Sequence, residues 1–321
     1  VDLSGHGPTR ARVLLDLGRV VAYEEGWRRA VDIFTAALNE VGDDDALRAG
    51  VEQGLGYAWV FRGDLEASER HARAALRLAE ELQEPRVMAE AFQAYPFVEF
   101  LLGRGVDHEM LDRGIALEGH MSGEFMSYFL RASFVLALLL KFTDRLDEAR
   151  ETFNELLGDA AVHGAESPIP QIRYHLAELE CRAGNWDAAM EHARESRAGA
   201  QRIRMGAMSS EGHFAVGLVE AHLGRAEPAR LAALEGLRVA EAAGEILLLI
   251  PNLAVLGFLE LSLGRPAEAD AFLSRAVELE QAMGVREPAY FRMVPDEVEA
   301  LVGLGRLDEA EALLAPFEAA G

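Results

Sequence analysis

Alanines recur at a step of 40 along this chain, at Ala149, Ala189, Ala229 and Ala269, and Ala310 follows at 41. Each closes the same local phrase: RLDEA (145–149), NWDAA (185–189), RAEPA (225–229), RPAEA (265–269) and RLDEA (306–310). Leu-Gly-Arg precedes three of the later ones, at Leu223-Gly224-Arg225, Leu263-Gly264-Arg265 and Leu304-Gly305-Arg306. A fixed period in this range marks a protein built by stacking one small unit on the next. Carried backwards, the ladder reaches Ala67 and Ala30, with a degenerate position near Glu109 between Ala67 and Ala149. That makes eight repeats over nearly the whole chain.

The residues around each alanine say what the unit is. After Ala149 the apolar positions are Phe153, Leu156 and Leu157; after Ala310 they are Leu313, Leu314 and Phe317. Spacings of three and four place them on one helical face. Before each junction lies another helical stretch, such as Phe134 to Phe142 or Ala215 to Leu223, and a Gly or Asp ends it (Gly63, Asp144, Gly184, Gly224, Gly264, Gly305). Those residues suit a helix C-terminus. The alanine then marks where the two helices of a hairpin approach closely. The expected fold is all-α: a right-handed superhelical solenoid of about eight tetratricopeptide-like helix–turn–helix repeats, with residues 1–321 forming a single repeat domain.

A net charge of −23 argues against nucleic acid as a direct partner, since phosphate binding needs clustered Lys and Arg. Lys141 is the single lysine, which reads as base composition of the genome and not as function. One cysteine, Cys181, excludes an internal disulfide framework and fits a reducing, cytoplasmic compartment. Two apolar runs, Leu136–Leu140 and Ile246–Leu259, are too short for a span of roughly 20 residues and read as buried first helices. The chain begins at Val1 without an apolar signal core, so the expectation is a fragment of something longer.

Catalytic motifs do not emerge. The chain has no phosphate loop ending in Lys-Ser or Lys-Thr, no His-Glu-x-x-His pair and no Gly-x-Ser-x-Gly elbow. Its nine histidines show no tight metal-ligand spacing, and Cys181 reads as a small buried residue. The expectation is a protein that is not an enzyme and holds neither metal nor cofactor.

Binding is what a solenoid offers, and two ladders sit on the first helices. Phe134, Tyr174 and Phe214 lie 15 residues before their alanines, and Ala254 ends the run. Three residues earlier come Arg131, Gln171, Glu211 and Pro251, with Arg292 at the matching place in the last repeat. An offset of three puts each pair on one face of its helix. Rings beside mixed donors and acceptors suit an apolar groove with a few orienting polar groups; equally, periodic rings can serve only to pack neighbouring helices. A second concentration of aromatics, Tyr57, Trp59, Tyr95 and Tyr128 among them, falls in repeats two to four, where Pro96 is expected to kink a first helix. That region reads as a pocket, a self-association face or a drifted but well-packed repeat. Trp27 and Trp186, at hairpin junctions, read as structural plugs.

Residues 284–318, GVREPAYFRMVPDEVEALVGLGRLDEAEALLAPFE, resemble the helical-repeat region of the large ATP-binding transcriptional regulators of the LuxR type. The stretches at 11–38 and 175–193 are similar to the same region, and the REP…FR…PDEVEAL string (286–301) is the sharper marker. In that family an NTPase module precedes the repeats, a helix-turn-helix follows them, and the repeats are where an inducer is thought to be sensed, as in the related maltose activator. The resemblance implies a sensor or scaffold segment of a bacterial regulator that binds a small-molecule effector or a protein partner. ATP binding and DNA binding would belong to the full-length protein, and no residue of this chain matches either motif. The alternatives are a protein–protein scaffold without small-molecule sensing, and a homo-oligomerisation module burying the aromatics of repeats two to four.

Overall fold

A computed structural model describes residues 7–120 and 131–320, without the side chains of Tyr23, Gly119, His120 and residues 316–320. Sixteen helices lie among the described residues, and in chain order they make eight hairpins. The first helices are α1 (Pro8–Glu24), α3 (Asp45–Arg62), α5 (Pro85–Leu101), α7 (Ala132–Phe142), α9 (Ile169–Arg182), α11 (Ser209–His222), α13 (Ile246–Ser262) and α15 (Val294–Gly303). Their partners are α2 (Trp27–Leu38), α4 (Leu65–Leu82), α6 (His108–His120), α8 (Leu146–Val162), α10 (Trp186–Arg202), α12 (Ala226–Ala243), α14 (Pro266–Met283) and α16 (Leu307–Ala320). Two compact units contain them: residues 1–168 with 243–245, and residues 169–242 with 246–321.

The hairpin turns are chemically uniform. Gly63, Gly184, Gly224, Gly264 and Gly305 all sit at φ between 71° and 78°, and Asp144 holds the same place at 60°. The residue after each donates its backbone N–H to the carbonyl five positions back, as Asp64 does to Trp59 at 3.0 Å and Arg225 to Glu220 at 2.9 Å. This closure satisfies carbonyls that a helix end would otherwise leave open, and it needs a left-handed residue. In the second unit side chains repeat the tie. Glu220 and Glu260, both buried, accept from Arg225 (3.1 Å) and Arg265 (3.3 Å), and Glu180 accepts from Asn185 at 2.6 Å.

The small-residue slot is the fourth position of each second helix. Ala30, Ala149, Ala189, Ala229 and Ala269 fill it with no exposed surface. The structure corrects the register in repeats two and three. Counting from Leu65, the slot holds Ser68 and not Ala67; Ser68 is fully buried and turns its Oγ onto the Gly56 carbonyl at 2.7 Å. Counting from His108, it holds buried Leu111, while Glu109 is exposed. A hydroxyl that donates to the facing helix is as tolerable as a methyl at a close approach. The approach is tight at α11 and α12 too, where a Cβ on Gly217 would meet the Ala233 backbone nitrogen at 3.3 Å.

Successive first helices pack on one another: α1 on α3, α3 on α5 and α5 on α7 in the first unit, and α9 on α11, α11 on α13 and α13 on α15 in the second. Within each unit they form one layer, so a residue's place on a first helix decides whether it meets a neighbour or an open face. Helices α5 and α13 run through Pro96 and Pro251. Both apolar runs lie largely buried inside α7 and α13, and among the described residues no helix is long and apolar enough to cross a membrane. In the first unit, Glu245 accepts the Trp27 N–H at 2.7 Å and so caps α2, whose N-cap Gly26 has no side chain to offer.

Candidate functional site

The sequence ladder divides between the units. Arg131 and Phe134 belong to the first. Arg131 is the N-cap of α7 and pairs with Asp159 at 2.7 Å, and Phe134 is fully buried, edge-on to Phe153 at 6.1 Å between ring centres. Phe134 therefore packs within its own hairpin.

In the second unit residues of the ladder come together. Helix α9 presents Gln171, Tyr174, Glu178 and Arg182 at helical spacing, and α11 sets Glu211 and Phe214 against them. Gln171 Nε2 donates to Glu211 Oε1 at 3.2 Å, and Tyr174 meets Phe214 edge-on at 5.8 Å. Glu178 and Arg182 pair at 2.6 Å, one turn beyond Tyr174. Tyr174 is half-buried, and desolvation holds its hydroxyl well above the ordinary tyrosine range. Glu178, Glu211 and Tyr290 push in the same direction, while Arg182 opposes them. The result is a tyrosine kept protonated, and hence a hydrogen-bond donor, beside two carboxylates.

Tyr290 was not among the ladder residues. It lies in the segment between α14 and α15, edge-on to Phe291 at 4.6 Å. The 40-residue period could not find it, because that segment is not helical. Arg292 shares this segment and is exposed, so it is not the helical rung that its register suggested. Pro251, on α13, is half-buried, whereas its neighbour Asn252 is buried and donates to Ser210 Oγ at 3.0 Å.

Glu178 pairs with Arg182, and Glu211 accepts from Gln171. Gln171 Oε1 is buried, and among the described residues no donor reaches it. A buried acceptor left open costs free energy, on the order of 1–3 kcal/mol. The arrangement suits a ligand rich in N–H donors, whether backbone amides or basic side chains. Nearby Cys181 takes no part as a nucleophile, since burial pushes its thiol up to about 12.

The early aromatics form a core. Trp27 stacks on Phe61 at 4.6 Å, Tyr57 lies 5.3 Å from Trp27 and 6.2 Å from Phe97, and all four are buried. Trp59 is half-buried. Tyr95 is half-buried under the Arg73 guanidinium, 5.5 Å from its ring, inside an ion-pair network of Glu69, Glu99 and Arg104. Tyr128 lies outside the described residues. Of the two junction tryptophans, Trp27 is buried, and Trp186 is 38% exposed and stacks on His222 at 5.6 Å.

Against known proteins, the tetratricopeptide repeat family matches residues 296–316. No curated protein matches. Among solved structures the chain resembles a Rap protein complexed with competence and sporulation factor, at 13% identity and a TM-score of 0.57, over 96% of this chain and 99% of that one. It likewise resembles the Rap conjugation gene regulator of plasmid pLS20 in complex with the Phr* peptide, at 14% identity and a TM-score of 0.56, over 96% and 98%. The apo form of RapI aligns over 95% of this chain and 86% of that one, at 13% identity and a TM-score of 0.51. At these identities the likeness is one of fold: a tetratricopeptide-like helical repeat.

Proposed function

We propose that this chain is the partner-sensing repeat segment of a LuxR-type transcription regulator, and that the α9–α11 face with Tyr290 takes an extended peptide or protein segment. The observation that carries the reading is the Tyr174 cluster, where a protonated hydroxyl, two carboxylates and an open amide oxygen converge on one half-buried ring. Main-chain amides and basic side chains of a peptide match that set of groups. Two proteins with this fold were solved in complex, one with competence and sporulation factor and one with the Phr* peptide, which supports a peptide over a small effector. The LuxR assignment rests on the 286–301 string and brings with it ATP and DNA binding by other modules.

The mechanism is a population shift. A partner that prefers one packing of α9 against α11 moves the equilibrium by its differential affinity for that packing, and repeats that touch only their neighbours pass the change along. Peptides selected from a random display library supply the probe, read by fluorescence anisotropy. Tyr174→Ala and Glu211→Gln should each weaken the selected peptide by about tenfold, equivalent to about 1.4 kcal/mol. Unchanged affinity in both would remove the site. A small molecule carried through purification and seen by native mass spectrometry would instead favour an effector.

A further inference from the structure

Trp27 and Trp186 hold the same place in their repeats, three residues before the small-residue slots at Ala30 and Ala189. Each stacks on the ring seven residues before the slot of the next repeat, Trp27 on Phe61 at 4.6 Å and Trp186 on His222 at 5.6 Å. The two stacks end differently: Trp27 is 5% exposed and Trp186 is 38% exposed.

One register position accounts for the difference. In the first unit Tyr57 stands one turn before Phe61, 5.3 Å from Trp27 and 5.5 Å from Phe61, so a third ring closes the stack. In the second unit the matching residue, one turn before His222, is Leu218. Leu218 packs down onto the core that holds Ala215 and Val219, and it has no ring to lay over the indole. Phe258 of α13, half-buried, extends the row 4.6 Å from His222. Trp186, His222 and Phe258 thus make a row of rings that lacks its cover.

The row is also uncharged. Desolvation holds the His222 imidazole below its ordinary value, which keeps it neutral at pH 7. Neighbouring arginines are committed to carboxylates of their own hairpins: Arg182 to Glu178 at 2.6 Å, Arg225 to Glu220 at 3.1 Å and Arg265 to Glu260 at 3.3 Å. An acidic side chain gains little beside such pairs. A flat aromatic one gains ring contact beyond the area it buries.

We infer that an aromatic side chain of the bound segment lies on the Trp186–His222 stack, in the place that Tyr57 fills in the first unit. The inference rests on the peptide reading of the α9–α11 face and gives that peptide a sequence requirement. His222 lies eight residues along α11 from Phe214, a distance of about 12 Å. An extended chain covers that in about four residues. The aromatic residue therefore sits about four positions from the part of the peptide that meets Tyr174 and Phe214.

Selection from a random display library against the whole chain, followed by fluorescence anisotropy on the selected peptides, tests it. An aromatic residue should recur at one position, and replacing it by alanine should weaken binding about tenfold. Trp186→Ala should weaken the aromatic peptide by the same factor and bind the alanine peptide as wild type does, so the two losses do not add. Leu218→Tyr supplies the missing ring from within and should erase the same preference. Circular dichroism checks that both variants keep their helices. Selected peptides without an aromatic residue, or with arginine or lysine in its place, overturn the inference. Affinity lost in Tyr174→Ala but kept in Trp186→Ala and Leu218→Tyr removes the ring contact and leaves the peptide site standing. The opposite pattern, lost in Trp186→Ala and kept in Tyr174→Ala, upholds the ring contact and moves the peptide off the Tyr174 cluster.

Discussion

The aromatics of the first unit and those of the second share a residue type and a kind of helix but not a role. Trp27, Tyr57, Phe61 and Phe97 face one another and are all buried. Tyr174 and Phe214 also touch, but α9 and α11 add Gln171, Glu178, Arg182 and Glu211 around them, and Tyr174 stays half-buried. Polar company separates the two. A ring enclosed by rings gains most by leaving water altogether. A ring beside carboxylates and amides cannot do so without stranding those groups, and Tyr174 keeps part of its surface in water.

Breaking the first cluster should cost the most. Phe61→Ala should lower stability by about 3–5 kcal/mol in denaturant unfolding. Peptide affinity, measured where the variant is still folded, should not change; a matching loss of affinity would mean that the two regions are not distinct.

Ala229→Leu comes next. It forces bulk into the closest approach of α11 and α12, and should cost about 1–3 kcal/mol. Because α11 carries Glu211 and Phe214, this variant should also weaken peptide binding, unlike Phe61→Ala.

A smaller effect is set by pH. Buried Glu297 of α15 lies just past the Tyr290 segment. Burial first, and then its hydrogen bond to the Asp270 carboxyl and the charge there, push it from 4.5 up to about 8, with Arg306 opposing. A folded-state value above the unfolded one means stability that is full below 4.5 and declines as pH rises through about 8. Glu297→Gln should flatten that decline in urea midpoints taken across the window; an equal slope in both proteins would remove Glu297 as its source.

The smallest expected change in stability is Tyr174→Phe, under about 1 kcal/mol, since the ring and its contact with Phe214 stay. Affinity should nonetheless fall if the hydroxyl is the donor at this site. A variant binding as well as wild type would move recognition to the carboxylates.

Most of the fold could be read before any coordinates. A slot that tolerates only small side chains, and a turn that demands positive φ, leave marks every 40 residues because each repeat solves the same steric problem. The marks fade where the problem is solved differently. Ser68 satisfies the slot through a hydrogen bond to Gly56, and Leu111 fills it with bulk, so a search for alanine misplaces the register at both. The site was half legible. Gln171, Tyr174, Glu211 and Phe214 come together because first helices stack in register. Phe134 shares that register yet faces its own hairpin partner, Phe153. Tyr290 and Arg292 lie in a segment without helical period, so spacing placed one wrongly and missed the other.

Amide hydrogen exchange on the whole chain, with and without a display-selected peptide, tests the central claim most directly. Binding at the Tyr174 cluster predicts added protection confined to α9, α11 and the segment between α14 and α15, with α3 to α5 unchanged. Protection concentrated in α3 to α5, and none at α9 and α11, would contradict it.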